Sequence, residues 1–394
     1  MKPLNQVITN CPPSGIRRFF DIAATMDDVI SLGVGEPDFV TPWRIREAGI
    51  SALERGFTTY TSNAGLLELR EAICADLGRR YGVGYEPDDE CLITAGVSEG
   101  LDLVLRVLLE PGDEVLIPEP CYVAYEPCVM LAGGRAVTVP TSSADGFRLH
   151  ADRVAAALTP RTKAILISSP ANPTGAIQRR DDLMALVELA VRHDLYIISD
   201  EIYERLSYVS PHTCLPALPG ARERTVLLGG FSKAHAMTGW RVGYLCAPKM
   251  IAELACRIHQ YTMLCATHVS QLAALEALYS GDSDVAEMVA DYDRRRRVFY
   301  KGLTEIGLDC PEPEGAFYAF PSIAASGLSS QVFAEELLRA ERVAVVPGDV
   351  FGPSGEGHIR CSYATALPAL DEALERMERF LRKVASGDVL PTAG

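Results

Sequence analysis

The chain has 394 residues, long for one core, which predicts two or three domains. Its 37 basic and 52 acidic side chains leave a formal charge of −15, a surface that repels phosphate backbones, so no nucleic-acid partner is expected. No apolar run approaches the roughly 18–20 residues that span a bilayer, and Met1 to Asn10 lack the basic-then-apolar layout of a signal peptide. The expectation is a cytoplasmic protein with no membrane partner.

Residues 1–45 show two turn signals, Cys11-Pro12-Pro13 and Gly35-Glu36-Pro37, and no periodicity, which predicts an arm that packs on a second domain or on a partner subunit. From about residue 91 to 247 short apolar runs alternate with helical patterns. The runs are Leu92–Thr94, Val115–Ile117, Ala136–Val139, Ala164–Ile167, Tyr196–Ile198, Thr225–Leu228 and Val242–Leu245. Helical periods such as Glu99–Leu109 and Asp181–His193 separate them. That alternation predicts an α/β domain with a mostly parallel, seven-stranded sheet covered on both faces. The last third changes character. A helical stretch over 283–306 precedes short strands near Phe317–Phe320, Val343–Val346 and His358–Cys361, with helices at 331–340 and 367–385, a smaller α+β domain. The division expected is 1–47 as arm and part of the small domain, 48–288 as the large domain and 289–394 as the small one. The tail from Ser386 reads as unstructured. The basic run Arg294–Arg297 reads as a solvated helix face.

The 11 cysteines include no Cys-x-x-Cys pair and read as reduced, mostly buried thiols, and the seven histidines form no metal-ligand motif. No metal is expected.

In an open α/β sheet, ligands bind beyond the carboxyl ends of the strands. Three predicted strands end in candidate chemistry. After Ala164–Ile167, two prolines and a glycine frame Asn172. After Tyr196–Ile198 come Asp200 and, one predicted helical turn on, Tyr203. After Thr225–Leu228, Gly229-Gly230-Phe231-Ser232 lead to Lys233, one of only six lysines, away from any acidic run. A buried lysine has a lowered pKa and is a nucleophilic amine. Taken singly, each has an ordinary explanation: an Asn-Pro turn, a helix N-cap, a snorkelling lysine. Eight residues past Lys233, Arg241 sits in Gly239-Trp240-Arg241-Val242-Gly243, where small residues let backbone and guanidinium approach an anion. Thr94-Ala95-Gly96-Val97-Ser98-Glu99 reads as a strand, a glycine and a helix N-terminus, a second anion site. A phosphate cradle, an amine, a carboxylate, a phenol and an amide at strand ends are the set that pyridoxal 5'-phosphate needs.

The chain resembles the class I aminotransferases of the fold type I pyridoxal-phosphate enzymes, over nearly its whole length. The resemblance rests on Gly230 to Gly243 around Lys233, on Gly33-Val34-Gly35-Glu36-Pro37-Asp38-Phe39, on Ala171-Asn172-Pro173-Thr174-Gly175, on Asp200-Glu201-Ile202-Tyr203 and on Arg360-Cys361-Ser362-Tyr363-Ala364. It implies that Lys233 carries the cofactor as an imine and shuttles the Cα proton. Asp200 pairs with the pyridinium nitrogen. Tyr203 and Asn172 contact the ring oxygen, and Tyr122 stacks on the ring. The Val97 and Ser98 amides, Ser232 and Arg241 hold the phosphate. Arg360 clamps the substrate carboxylate, with Gly35 and Asn172 in the same pocket. Tyr60 reaches the neighbouring subunit's phosphate, which implies a homodimer with shared sites. The reaction implied is ping-pong transfer of an amino group between an L-amino acid and a 2-oxo acid, with an aromatic or broad donor range. A carbon–sulfur β-lyase or an aminocyclopropane-carboxylate-type synthase is the alternative with the same residues. Ser98 replaces a lysine used by some aspartate-specific relatives, and Arg17 and Arg18 are the candidate substitutes for its charge.

Overall fold

The computed structural model describes residues 2–11, 13, 15 and 26–387. After a two-residue strand, β1 (Ile30–Ser31), the chain builds one large sheet from β2 (Cys91–Thr94), β3 (Glu114–Glu119), β4 (Arg135–Pro140), β5 (Thr162–Ser168), β6 (Tyr196–Asp200), β7 (Thr225–Gly230) and β8 (Gly243–Cys246). The order is β2-β8-β7-β6-β5-β3-β4. Strands β3 to β7 pair in parallel, and β8 runs antiparallel to both β2 and β7. All seven apolar runs are strands of this sheet, to within one or two residues at their ends.

Apart from the edge strand β4, they read as continuous apolar runs because the sheet is buried on both faces. Leu116, Ile165, Ile167 and Ile197 point to one side, against Leu183, Leu186 and Val187 of the helix Arg180–Arg192. Val115, Ile117, Leu166 and Ile198 point to the other, against Leu101 and Leu105 of the helix Val97–Leu108. The period of two thus serves two cores at once.

The C-terminal third adds β9 (Tyr318–Ala319), β10 (Val343–Ala344), β11 (Val346–Pro347) and β12 (Ile359–Ser362). β11, β12 and β9 form an antiparallel sheet, while β10 pairs in parallel with β1. The single strand expected over Val343–Val346 is therefore two, because Val345 lies where the chain leaves β1 and joins β12. Helices Asp282–Glu305, Ser330–Glu341 and Leu367–Ser386 pack around them, with Phe299, Phe317, Phe333 and Phe380 in the shared core. The pairing of β1 with β10 ties this part of the N-terminal region to the C-terminal third.

Two expectations need correction. No helix follows Asp200. The chain makes a turn in which the Ile202 amide donates to Asp200 Oδ1 at 3.2 Å, held open because the Glu201 carboxylate accepts from Ser199 Oγ at 2.8 Å and from the Leu215 amide at 2.9 Å. The run Arg294–Arg297 is solvated only at its ends. Neighbouring residues on a helix are ~100° apart, and Arg295 and Arg296 turn inward, 6% and 5% exposed. Each finds carboxylates there: Asp38 and Asp291 for Arg295, Asp293 and Glu312 for Arg296. Among the described residues no helix is long and apolar enough to cross a membrane.

Candidate active site

The strand ends of the large sheet and the inner edge of the C-terminal third enclose a cavity of about 680 Å³. Val97, Ser98, Tyr122, Asn172, Asp200, Tyr203, Ser232, Lys233, Arg241, Arg360 and Gly35 all line it. These residues come from segments far apart in the sequence, so their convergence is a finding of the fold. Tyr60 is apart from them, with 79% of its surface exposed. Arg17 and Arg18 lie outside the described residues.

At one end the helix Val97–Leu108 begins at Gly96, whose φ of +79° suits glycine, and no side chain caps it. Its first amides are therefore free to hold an anion. Arg241, in the left-handed region at φ +51°, folds back so that its Nη1 donates to Thr238 O at 3.1 Å. The space is tight. A Cβ on Gly243 would stand 2.9 Å from the Val97 nitrogen, and one on Gly96 would stand 2.7 Å from Arg241 Nη2.

Asp200 ends β6 and is 5% exposed. Its Oδ2 accepts from the Tyr125 hydroxyl at 2.7 Å. Burial pushes its carboxyl above the usual range, opposed by the donors from Tyr125 and Ile202. Lys233 Nζ donates to Gly35 O at 2.6 Å. Burial lowers its pKa to about 8, against the opposing pull of Glu36, while Arg360 and Arg241 push the same way as burial. Tyr203 is buried and its hydroxyl meets that of Tyr318 at 2.8 Å. The Tyr122 ring stands edge-on to Tyr125 at 5.5 Å.

Arg360 is the second residue of β12 in the smaller sheet and is 2% exposed. Nη1 donates to Asn172 Oδ1 at 2.9 Å and Nη2 to Gly33 O at 2.6 Å, while Nε is buried without a partner. An orphaned buried guanidinium donor is costly unless a ligand supplies the acceptor. Tyr125 and Tyr318 escaped the sequence reading. Tyr125 carries no motif of its own beyond its place three residues after Tyr122, and Tyr318 lies in a strand recognised only as apolar.

These features fit pyridoxal 5'-phosphate: an uncapped helix N-terminus beside an arginine for the phosphate, a buried carboxylate that accepts from the neutral Tyr125 hydroxyl and Ile202 amide, and an amine poised near pH 8. The family model described as aminotransferase class I and II matches residues 27–377. The putative aminotransferase YugH of Bacillus subtilis (strain 168) is 55% identical over 380 residues, 96% of this chain and 98% of that one. A Pyrococcus abyssi aspartate aminotransferase is 46% identical, over 94% of this chain and 96% of that one. The crystal structure of an aromatic aminotransferase from Pyrococcus horikoshii OT3 superposes with a TM-score of 0.89 at 45% identity, covering 94% of this chain and 100% of that one.

Proposed function

The chain belongs to the class I and II aminotransferase family and is a transaminase, and from that premise we propose that Lys233 is its reactive amine, pyridoxal 5'-phosphate its cofactor and an amino acid with an apolar or aromatic side chain its donor. The observation that carries this is the Lys233 amine itself, brought to a pKa of about 8 and lining one cavity with Asp200 and Arg360. When bound, pyridoxal phosphate supplies an aldehyde that condenses with amines and a ring that accepts the electron pair left by a departing Cα proton.

The chain's own residues do the rest. The Val97 and Ser98 amides, Ser232 and Arg241 hold the phosphate. Asp200, whose charged form the Tyr125 hydroxyl and the Ile202 amide favour against the upward push of burial, pairs with the ring nitrogen. Tyr203 and Asn172 hold the ring oxygen, and Tyr122 covers one ring face. Arg360 turns its unpartnered edge to the substrate carboxylate, beside Gly35. Lys233 Nζ, freed as the neutral amine, takes the Cα proton and later returns it. General acid–base work of this kind contributes ~10²–10⁴-fold. Burial around Tyr203 and Asp200 keeps water from competing for that proton.

The donor follows from what lines the remaining wall. Val34, Leu101, Ala124 and Cys128 are apolar or weakly polar. Among the described residues the cations on the cavity are Lys233, Arg241 and Arg360, and each already has a task, which leaves none for a second carboxylate. The exposure of Tyr60 and of Arg241 supports a homodimer in which Tyr60 completes the neighbour's phosphate site. Steady-state kinetics with 2-oxoglutarate as acceptor test the donor: kcat/KM is expected to be higher for phenylalanine or leucine than for aspartate. A clear preference for aspartate would overturn the side-chain assignment and leave transamination standing.

A further inference from the structure

We propose that Tyr318 is a positioning residue that aligns the phenol of Tyr203 through its hydroxyl and the guanidinium of Arg360 through its ring, so that one side chain couples the cofactor contact to the substrate clamp. The inference rests on the site reading above and concerns a residue that the sequence reading did not single out.

Tyr318 is 1% exposed and sits on β9, where it pairs with Ser362 of β12. Side chains alternate along a strand, so Arg360, two residues before Ser362, projects from the same face as Tyr318. The Arg360 guanidinium lies 4.6 Å from the centre of the Tyr318 ring, within reach of a cation–π contact. The hydroxyl at the far end of that ring meets Tyr203, which lies in the turn after β6 of the large sheet, at 2.8 Å. Gly35 closes the third side. A Cβ there would stand 2.9 Å from the Tyr318 oxygen, so glycine makes room for the hydroxyl, and the carbonyl of the same glycine receives Lys233 Nζ.

Proton bookkeeping gives the pair a direction. Each phenol has one proton to donate. When Tyr203 gives its proton to the ring oxygen of the cofactor, the proton between the two phenols comes from Tyr318. A donor that itself accepts a hydrogen bond is polarised and donates more strongly. Tyr318 thereby strengthens the Tyr203 contact. The charged and titratable groups facing the two phenols are Arg360, Tyr122, Glu36 and Lys233, and the substitutions below alter none of them.

Two substitutions separate the two halves, both made in the cofactor-loaded enzyme. Y318F removes the hydroxyl and keeps the ring; Y318L removes both. The first readout is the pH midpoint of the visible absorbance. The second is the affinity for 3-phenylpropionate, a carboxylate with no amine to react, followed through the same absorbance. A weaker donor at Tyr203 leaves more electron density on the ring and raises the proton affinity of the chromophore. Y318F is therefore expected to move the midpoint up by a few tenths of a unit and to leave carboxylate affinity within about twofold, whereas Y318L also weakens that affinity by roughly three- to thirty-fold. An unmoved midpoint in Y318F overturns the hydroxyl half, and an unchanged affinity in Y318L overturns the ring half. Should Y318L not fold, Y318M refills the volume without a π face and reads the same affinity. A wild-type protein that takes up no pyridoxal phosphate would instead overturn the cofactor reading, and that is seen before any variant is made.

Discussion

A lysine in water keeps its proton to a pH near 10.5, and Lys233 gives it up at about 8 because burial disfavours the charged form. A group whose pKa falls this way becomes the neutral, nucleophilic amine above pH 8. The rate at which the cofactor-free protein captures pyridoxal phosphate, followed by absorbance, should therefore rise with pH around a midpoint near 8; a midpoint near 10.5 would show that the amine is solvated. Arg360 makes a second residue-scale prediction. Lysine cannot present two parallel donors to a carboxylate, and losing one charge-assisted hydrogen bond is worth about 1.5–3 kcal/mol, so R360K should raise KM for the donor roughly 10- to 100-fold. An unchanged KM would remove Arg360 from the substrate site. Lys233, Asp200, Asn172 and Arg241 stood out in the sequence because few residue types suit such chemistry and they follow predicted strands, and Arg360 stood out by family resemblance; the fold brings all five to one cavity. Tyr125 was not, because its value lies in a hydroxyl contact with Asp200, whose strand is separated from β3 by β5. Periodicity carries no record of such a contact.

The strand–helix junction at Gly96 and the return of Arg241 toward it depend on the close approach of β2 and β8, where Thr94 faces Gly243. A methyl group at Gly243 meets backbone rather than a flexible side chain, so the cradle itself must shift. G243A is expected to cost about 1–3 kcal/mol of stability, read by urea melts, and to weaken pyridoxal phosphate binding; an unaltered affinity would place the phosphate elsewhere. The helix Asp282–Glu305 offers a contrasting case. Arg295 donates to both oxygens of Asp38 at 2.8 Å, and that aspartate belongs to the segment that leads from Gly35. Removing one partner of a buried pair is more costly than removing both. R295M should therefore destabilise by about 2–3 kcal/mol, and the double change with D38N by less than the sum of the two single changes, as a double-mutant cycle would show. Additive effects would reduce the pair to surface decoration. The large sheet was readable because strands buried on both faces are unbroken apolar runs. The inward turn of Arg295 and Arg296 was not, because four consecutive arginines have no periodicity and their partners Asp38 and Glu312 lie elsewhere in the chain.

At the scale of the molecule, both sheets contribute to one cavity: the large one brings Asp200, Asn172 and Lys233, the smaller one Arg360 and Tyr318. The layer architecture was legible from the switch between alternating and mixed patterns. The way the N-terminal segment threads between them was not, since β1 is only two residues long and is held by pairing with the distant β10. The fold also carries a pH dependence of its own. His235 is buried, its Nδ1 has no partner, and burial lowers its pKa to about 4. Unfolded, it titrates near its ordinary value of 6.5. Between those values the unfolded chain binds the extra proton, so stability falls as pH drops from 6.5 toward 4, by on the order of 2–3 kcal/mol for this group. H235F should flatten that slope in urea melts across the interval, and an unchanged slope would assign the acid sensitivity to other groups. Every role proposed for the cavity requires Lys233 to be the amine through which amino groups are exchanged. The direct measurement is the visible absorbance of the purified protein with pyridoxal phosphate, first alone, then with single amino acids, then with a 2-oxo acid, beside K233A. An absorbance band that bleaches with a donor, returns with the oxo acid and is altered with no exchange in K233A is the predicted result; a wild-type protein that binds no cofactor, or a K233A variant that cycles as the wild type does, would contradict it.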